Sequence, residues 1–321
     1  MIVRDEERVL ARCLRSFAGA FDELNVVDTG SADATVQIAS QFGARLRSFT
    51  GCNGPDGRIQ DFSLARNLAC DMASHEWILW MDADDVLQPG GAARLRAAAE
   101  RGGFAGLHTT ITWGGDSWYQ VRLFRNEPRN RFTGRIHEYP QVHGAIDADP
   151  LIVVEHHPDK AGKEGSVERN LRLCEIEVRE DPTNLHALFH LGTCYRLSGR
   201  HDEAIFRYQQ YLALPGTFQQ ERYTVAYFLA LSLFAQRRWQ DCIDAAVRAV
   251  RIDPRYAEPY CLLGDVYGEM REYAFARQWY RTALSCGSPP PDAVLFVDRA
   301  KYSDYPKLAI SICNEKLGQS D

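Results

Sequence analysis

The sequence predicts an α/β domain with a parallel sheet, followed by an all-α domain built from helical repeats. Two observations support this division. Short apolar runs alternate with amphipathic helical segments as far as about residue 160, whereas only helical periodicity continues beyond Glu168. The chain has 321 residues, which is enough for two separate hydrophobic cores.

The composition narrows the functional classes. The formal net charge of −6 argues against a general nucleic-acid or anionic-membrane surface, although it allows a local basic site. We find no apolar run as long as a membrane span and no signal-peptide pattern, so we expect a cytoplasmic protein. The nine cysteines form no C-x-x-C pair and several lie in apolar helical patterns, which predicts reduced, buried thiols.

Short strands alternate with helices at the start of the chain. Strands are expected at residues 1–4, 25–28 and 44–49, and apolar residues with helical spacing occur at 6–17 and after Asp33. Strands that are joined by helices pair in parallel through right-handed connections. This stretch therefore predicts a doubly wound, Rossmann-like sheet.

The central strand is predicted at residues 77–81, an apolar run without alternation that is typical of a strand buried on both faces. Asp82, Asp84 and Asp85 follow it directly. Carboxylates this close raise one another's pKa unless a cation lies between them, and Mg²⁺ or Mn²⁺ is the simplest such cation. The alternative is an exposed acidic turn that caps the helix expected after Pro89.

A glycine-rich loop at residues 50–61 and a helix at 62–72 lead into the central strand. This arrangement places Asp28 and Asp82 on either side of the crevice at the carboxyl edge of the sheet, where open α/β sheets bind nucleotides. The G-x-G-x-x-G fingerprint is missing from the sequence, which disfavours dinucleotide cofactors.

Four sequence blocks resemble, in order, those of family-2 glycosyltransferases of the GT-A fold. They are MIVRDEE at residues 1–7, VDTGSAD at 27–33, FSLARN at 62–67 and WMDADD at 80–85. The resemblance covers the first half of the chain and implies a nucleotide-diphosphate-sugar donor and a divalent metal, Mn²⁺ or Mg²⁺. Because the family's first strand has several more apolar residues ahead of this block, we expect either a start that is set too late or an incomplete edge of the nucleotide pocket.

The resemblance also implies roles for single residues. Asp28 would contact the base or ribose of the donor, and Arg66 would help to hold the base or the diphosphate. Asp82 would touch the ribose or the metal, and Asp84 would be the main metal ligand. In this family a histidine after the last strand of the catalytic domain often completes the metal site, and His156 matches that position. The alternative for His156, and for its neighbour in the sequence, is an ordinary exposed turn.

The acceptor side of the same resemblance is carried by RLFRN at residues 122–126 and GRIHE at 134–138. An inverting transfer needs a base that deprotonates the acceptor, and Glu138 is the first candidate and Asp116 the second. For Glu138 the alternative is a surface salt bridge with a nearby arginine.

Five arginines surround these blocks. They could bind a phosphate of the donor or of a nucleic-acid acceptor through bidentate contacts, or they could form a solvated strand face. These residues are Arg122, Arg125, Arg129, Arg131 and Arg135.

The second half contains an internal repeat. Its three copies are offset by 38 and 34 residues and are marked by Leu191-Gly192, Leu229-Ala230 and Leu263-Gly264. They resemble tetratricopeptide repeats, whose period is about 34 residues. We predict a catalytic domain at 1–160, a linking helix at 161–183, repeats at 184–288 and a capping segment at 289–321. Such repeats bind peptides or a second subunit, so we expect acceptor recruitment or a homodimer; a stabilising scaffold is the alternative.

Together these features predict a metal-dependent, inverting glycosyltransferase. The resemblance favours a UDP-sugar as the donor, and the acceptor would be a peptide or protein, a saccharide or a modified DNA base. The alternative from another class is a non-catalytic interaction scaffold, in which the transferase domain is degenerate and the repeats bind partners.

Overall fold

The computed structural model describes residues 1–114, 116–159, 164–216, 218–293, 295 and 297–319, with the side chain of Asp116 outside this description. The chain divides into two compact units, Met1–Gly165 and Ser166–Asp321. Each unit has its own hydrophobic core.

The first unit contains the strands that the structure describes. They are β1 (Ile2–Val3), β2 (Asn25–Asp28), β3 (Arg45–Ser48), β4 (Trp77–Leu79), β5 (Asp85–Leu87), β6 (Gly106–Trp113), β7 (Asp116–Arg125), β8 (Phe132–Thr133), β9 (Tyr139–Pro140) and β10 (Ile146–His156). Strands β1, β2 and β3 form a parallel sheet. A mixed sheet has the order β4-β7-β6-β10-β5, and β8 pairs with β9.

Four helices lie between these strands within the described part of the first unit: α1 (Leu10–Ser16), α2 (Thr35–Gln41), α3 (Phe62–Asp71) and α4 (Gly91–Arg101). The start of α3 is set by Asp61, whose side chain accepts a hydrogen bond from the Leu64 backbone N–H at 3.2 Å. In α1 the buried residues Leu10, Cys13 and Leu14 have the spacing of one helix face. This face packs into the main core of the unit.

The α/β class of this unit is confirmed, but the prediction of one parallel sheet with a central strand at 77–81 is wrong. Strand β4 lies at the edge of the mixed sheet and pairs antiparallel with β7, with Leu79 opposite Leu123. The sheet is mixed because β7 follows β6 after a short turn, and a strand that returns in this way runs antiparallel to the strand before it. A cavity of about 370 Å³, with Leu24 and Ile78 in its wall, adjoins both the parallel and the mixed sheet.

The second unit is all-α, as predicted. Its helices are α5 (Ser166–Glu180), α6 (Leu185–Leu197), α7 (His201–Ala213), α8 (Gln219–Ala235), α9 (Trp239–Ile252), α10 (Glu258–Glu269), α11 (Tyr273–Ser285) and α12 (Asp304–Lys316), with a 3₁₀ turn at Arg299–Tyr302. Across the ranges described, no helix combines the length and the apolar character that crossing a membrane requires.

Small residues let the helices of a repeat pack closely. A Cβ atom built on Gly192 of α6 would lie 2.6 Å from Cε1 of Tyr208 in α7, so only glycine fits against this buried ring. In the second repeat the corresponding positions are Ala230 and Ala246, both fully buried. Because Ala246 is smaller than the tyrosine at the corresponding position of the first repeat, Ala230 does not need to be glycine. A large residue on one helix is thus matched by glycine on the other, and a small residue by alanine.

Candidate active site

Two distant segments meet at the acidic cluster. Asp82 and Asp84 lie in the turn between β4 and β5, and Asp85 is the first residue of β5. Because β5 pairs antiparallel with the end of β10, Asp85 lies directly opposite His156. The backbone N–H of His157 donates to the carbonyl of Asp84 at 3.0 Å. Strand pairing thus brings the predicted histidine to the predicted carboxylates.

Asp84, Asp85 and His156 each offer a ligand atom, and these atoms lie within 4.8 Å of one another. The Nδ1 atom of His156 is 3.5 Å from Oδ1 of Asp84 and 3.1 Å from Oδ1 of Asp85. Burial, followed by the negative charge of Asp82, raises the pKa of Asp84. A bound cation would relieve this repulsion, and carboxylate with imidazole suits Mn²⁺. These residues therefore fit a divalent metal ion.

Arg66 joins the acidic cluster to Glu138. Its guanidinium group is buried, donates from Nε to Oε1 of Glu138 at 2.5 Å and donates from Nη2 to Oδ1 of Asp82 at 2.7 Å. Burial raises the pKa of Glu138, and the charge of Arg66 only partly opposes this effect. For Asp82 burial acts in the same direction, but Arg66 and Arg122 outweigh it and hold the pKa below its ordinary value.

Arg122 is a second buried cation in this network. It is 3% exposed, and its Nη1 atom lies 2.8 Å from Oδ2 of Asp85 while its Nη2 atom lies 3.8 Å from Oδ2 of Asp82. Its guanidinium carbon is 4.0 Å from the ring centre of Trp80, and that of Arg66 is 4.5 Å away from the same centre. Arg122 therefore contacts the acidic cluster and Trp80.

The other four arginines pair with different carboxylates. Arg125 contacts Glu76 and lies over the ring of Trp77, and the remaining pairs are Arg129 with Glu127, Arg131 with Asp71 and Arg135 with Asp61. The five arginines that the sequence places together thus contact several separate acidic groups.

Asp28 lies at the carboxyl end of β2, as predicted, and it is buried. Its carboxylate accepts hydrogen bonds from the backbone N–H groups of Gly30 at 3.2 Å and Ser31 at 3.1 Å, which shapes the turn after the strand. Asp116 is the first residue of β7, and its side chain lies outside the described part of the chain.

The sequence motifs indicate no separate role for Asp85 or Trp80. Asp85 is fully buried, and Trp80 donates from its ring N–H to the carbonyl of Val121 at 2.6 Å. The sequence does contain a hint that Asp85 is buried, since this charged residue is followed directly by the apolar residues Val86 and Leu87. A charge in such a position is compatible with burial only when it is paired.

The family model for glycosyl transferase family 2 matches residues 1–157, the same region that contains the acidic cluster, Arg66 and Glu138. Residues 1–157 form a glycosyl transferase family 2 domain. A tetratricopeptide repeat model matches residues 257–285, which include α10 and α11. Both family resemblances of the sequence are thereby confirmed.

Two bacterial proteins are similar to most of the chain. A TPR repeat-containing protein of Synechococcus elongatus is 32% identical over 264 residues, which are 77% of this chain and 63% of that protein. The SPbeta prophage-derived glycosyltransferase SunS of Bacillus subtilis is 27% identical over 256 residues, 74% of this chain and 58% of that protein. The chain thus spans about three fifths of the length of these relatives.

Among solved structures, a crystal structure of MamA is similar to half of the chain. The identity is 24% and the TM-score is 0.40, with 50% of this chain and 86% of the MamA chain covered.

Proposed function

We propose that the chain is a metal-dependent, inverting glycosyltransferase that uses a nucleotide-diphosphate sugar, with UDP-sugar as the favoured donor. The observation that carries this proposal is the joining of Glu138 to Asp82 through Arg66, beside the cluster of Asp84 and His156, in a family-2 domain. A base, a donor-side carboxylate and a cation site then lie in one connected network.

In this proposal Asp84 and His156 would hold Mn²⁺ or Mg²⁺, which would supply electrostatic stabilisation of the departing diphosphate. Asp82 stays ionised because Arg66 and Arg122 favour its charged form, so it can accept hydrogen bonds from the donor ribose or bind the ion. Asp28 contacts the base or ribose. The Arg66 contacts with Asp82 and Glu138 support a role in holding these carboxylates, in addition to the predicted role at the base or diphosphate.

Glu138 is the proposed general base. Its raised pKa brings the carboxyl group closer to neutral pH, where a base transfers protons most effectively. The Nε–H of Arg66 orients the group through the hydrogen bond to Oε1. Asp116 remains the second candidate for this role.

The acceptor is proposed to be a peptide or protein, because helical repeats of this type present extended surfaces that bind polypeptides. A saccharide and a modified DNA base are the other acceptors that the sequence predicts. The pairing of Arg122, Arg129 and Arg131 with carboxylates lowers the positive charge that a DNA acceptor requires. A homodimer through the repeats also stays a prediction.

A thermal-shift screen tests the donor and the metal together. UDP, GDP, CDP and dTDP are added with and without Mn²⁺ to the wild type, to Asp84→Asn and to Asp147→Asn. Asp147 is a matched control, since it is an exposed carboxylate that pairs with Arg101. We expect UDP with Mn²⁺ to stabilise the wild type and Asp147→Asn by about 2.7 kcal/mol at one hundred times the Kd, and to leave Asp84→Asn unchanged.

If no nucleotide stabilises the folded wild type in the presence of Mn²⁺ or Mg²⁺, the transferase proposal fails. The non-catalytic scaffold then becomes the better description, and partners should be sought through the repeats.

A further inference from the structure

Asp85 is buried, and both of its carboxylate oxygens contact polar groups of the protein. Its Oδ2 atom accepts a hydrogen bond from the Asp82 backbone N–H at 2.8 Å and lies 2.8 Å from Nη1 of Arg122. Its Oδ1 atom lies 3.1 Å from Nδ1 of His156. The residue is 0% exposed, so these contacts are shielded from solvent.

We propose that Asp85 is a positioning residue and that the metal ligands are Asp84 and His156. In a neutral imidazole one nitrogen carries the proton and the other has a lone pair. A carboxylate facing Nδ1 keeps the proton on Nδ1, which leaves Nε2 as the metal-binding nitrogen. This inference rests on the proposed function, because it divides the roles within the metal site of the transferase.

Arg122 supports the same division of roles. Its guanidinium group neutralises the charge of Asp85 and would repel a dication that bound to the same carboxylate. The side chain of Asp84, in contrast, is 17% exposed. A carboxylate that is reachable and crowded by like charges is the better ligand.

The tautomer of His156 can be measured without metal or substrate. Protein labelled with ¹⁵N-histidine is studied by long-range ¹H–¹⁵N NMR, at a pH above which the His156 signals no longer move, and His156→Gln assigns them among the nine histidines. We expect the Nδ1–H form in the wild type and in Asp84→Asn, and a shift to the Nε2–H form in Asp85→Asn. An Nε2–H form in the wild type, or an unchanged tautomer in Asp85→Asn, overturns the proposal.

Mn²⁺ affinity, measured by electron paramagnetic resonance of the free ion, separates a ligand from a positioning residue. Asp84→Asn should lower the affinity more than about 100-fold, and Asp85→Asn should lower it about 10-fold to 100-fold. Equal losses in the two variants would identify Asp85 as a ligand. Asp85→Asn leaves Arg122 without its partner, so the double variant with Arg122→Gln is measured as well if the single variant does not fold.

These measurements are independent of sugar transfer. If the tautomer and Mn²⁺ results agree with the proposal while every nucleotide fails to bind, the proposed function fails and the metal site stands. If nucleotides bind and the tautomer is wrong, only the role of Asp85 is rejected.

Discussion

Arg66 donates from Nε to Oε1 of Glu138 at 2.5 Å, although the two residues are 72 positions apart in the chain. Both side chains are less than a tenth exposed, so this pair is shielded from solvent. Because the same guanidinium also donates to Asp82, the candidate base and Asp82 share one cation.

The base assignment predicts a large loss of turnover in Glu138→Gln. The amide keeps the shape of the side chain and cannot accept a proton, so kcat for sugar transfer should fall about 10²-fold to 10⁴-fold. Binding of the nucleotide with Mn²⁺, followed by thermal shift, should be nearly unchanged. The matched variant is Asp116→Asn, and a large loss of turnover there, with normal turnover in Glu138→Gln, would transfer the role to Asp116.

Arg122→Met should destabilise the protein strongly. The substitution leaves Asp85 buried beside His156 without its cation, and breaking a buried pair in this way typically lowers the free energy of unfolding by about 3–5 kcal/mol. Arg129→Ser is the control, since its pair with Glu127 is exposed and should contribute no more than about 1 kcal/mol. Urea unfolding at pH 7 measures both values, and similar values would contradict the structural role of Arg122.

Metal-free stability should depend on pH through His156. The hydrogen bond with Asp85 raises the pKa of His156 above its usual value of about 6.5, so the folded state binds the proton more tightly than the unfolded state. The resulting stability is fully present below about pH 6.5 and is lost as the pH rises through the folded-state pKa. The stability difference between wild type and His156→Gln, measured by urea unfolding in EDTA, should shrink over this range. A difference that grows with pH would refute the assignment.

The repeat packing predicts opposite effects of two glycine substitutions in α10. A Cβ atom on Gly264 would lie 2.5 Å from Cε1 of Tyr280, whose hydroxyl is held by Asp265 at 2.7 Å, so Gly264→Ala should destabilise the protein by about 1–3 kcal/mol. Around Gly268 nothing lies within 4 Å, so Gly268→Ala should raise stability by up to about 1 kcal/mol. Thermal unfolding of the two variants is the measurement. If Gly264→Ala is as stable as the wild type, the close approach is not required.

The arginine group shows what a local pattern leaves open. Arg122 and Arg125 lie three positions apart on β7, and a register shift at Arg122 interrupts the regular alternation of side chains between the two faces. In the structure Arg122 is buried against Asp85, whereas Arg125 pairs with Glu76. Their closeness in the sequence says little about a shared surface.

The two structural classes, the family of the first unit and the repeats of the second can all be read from the sequence. These depend on local periodicity and on short blocks, such as the carboxylates that follow residues 77–81, and both are readable along the chain. The order of these blocks also placed Asp84 and His156 in one predicted metal site.

Three features of the site depend on the folded chain: Asp85 faces His156, Arg66 joins Asp82 to Glu138, and Arg122 is buried. The register between β5 and β10 brings together residues 71 positions apart, and such a register is set by the packing of the whole sheet. The balance of buried charges likewise depends on which charged side chains are buried next to one another, and spacing along the chain does not contain that information.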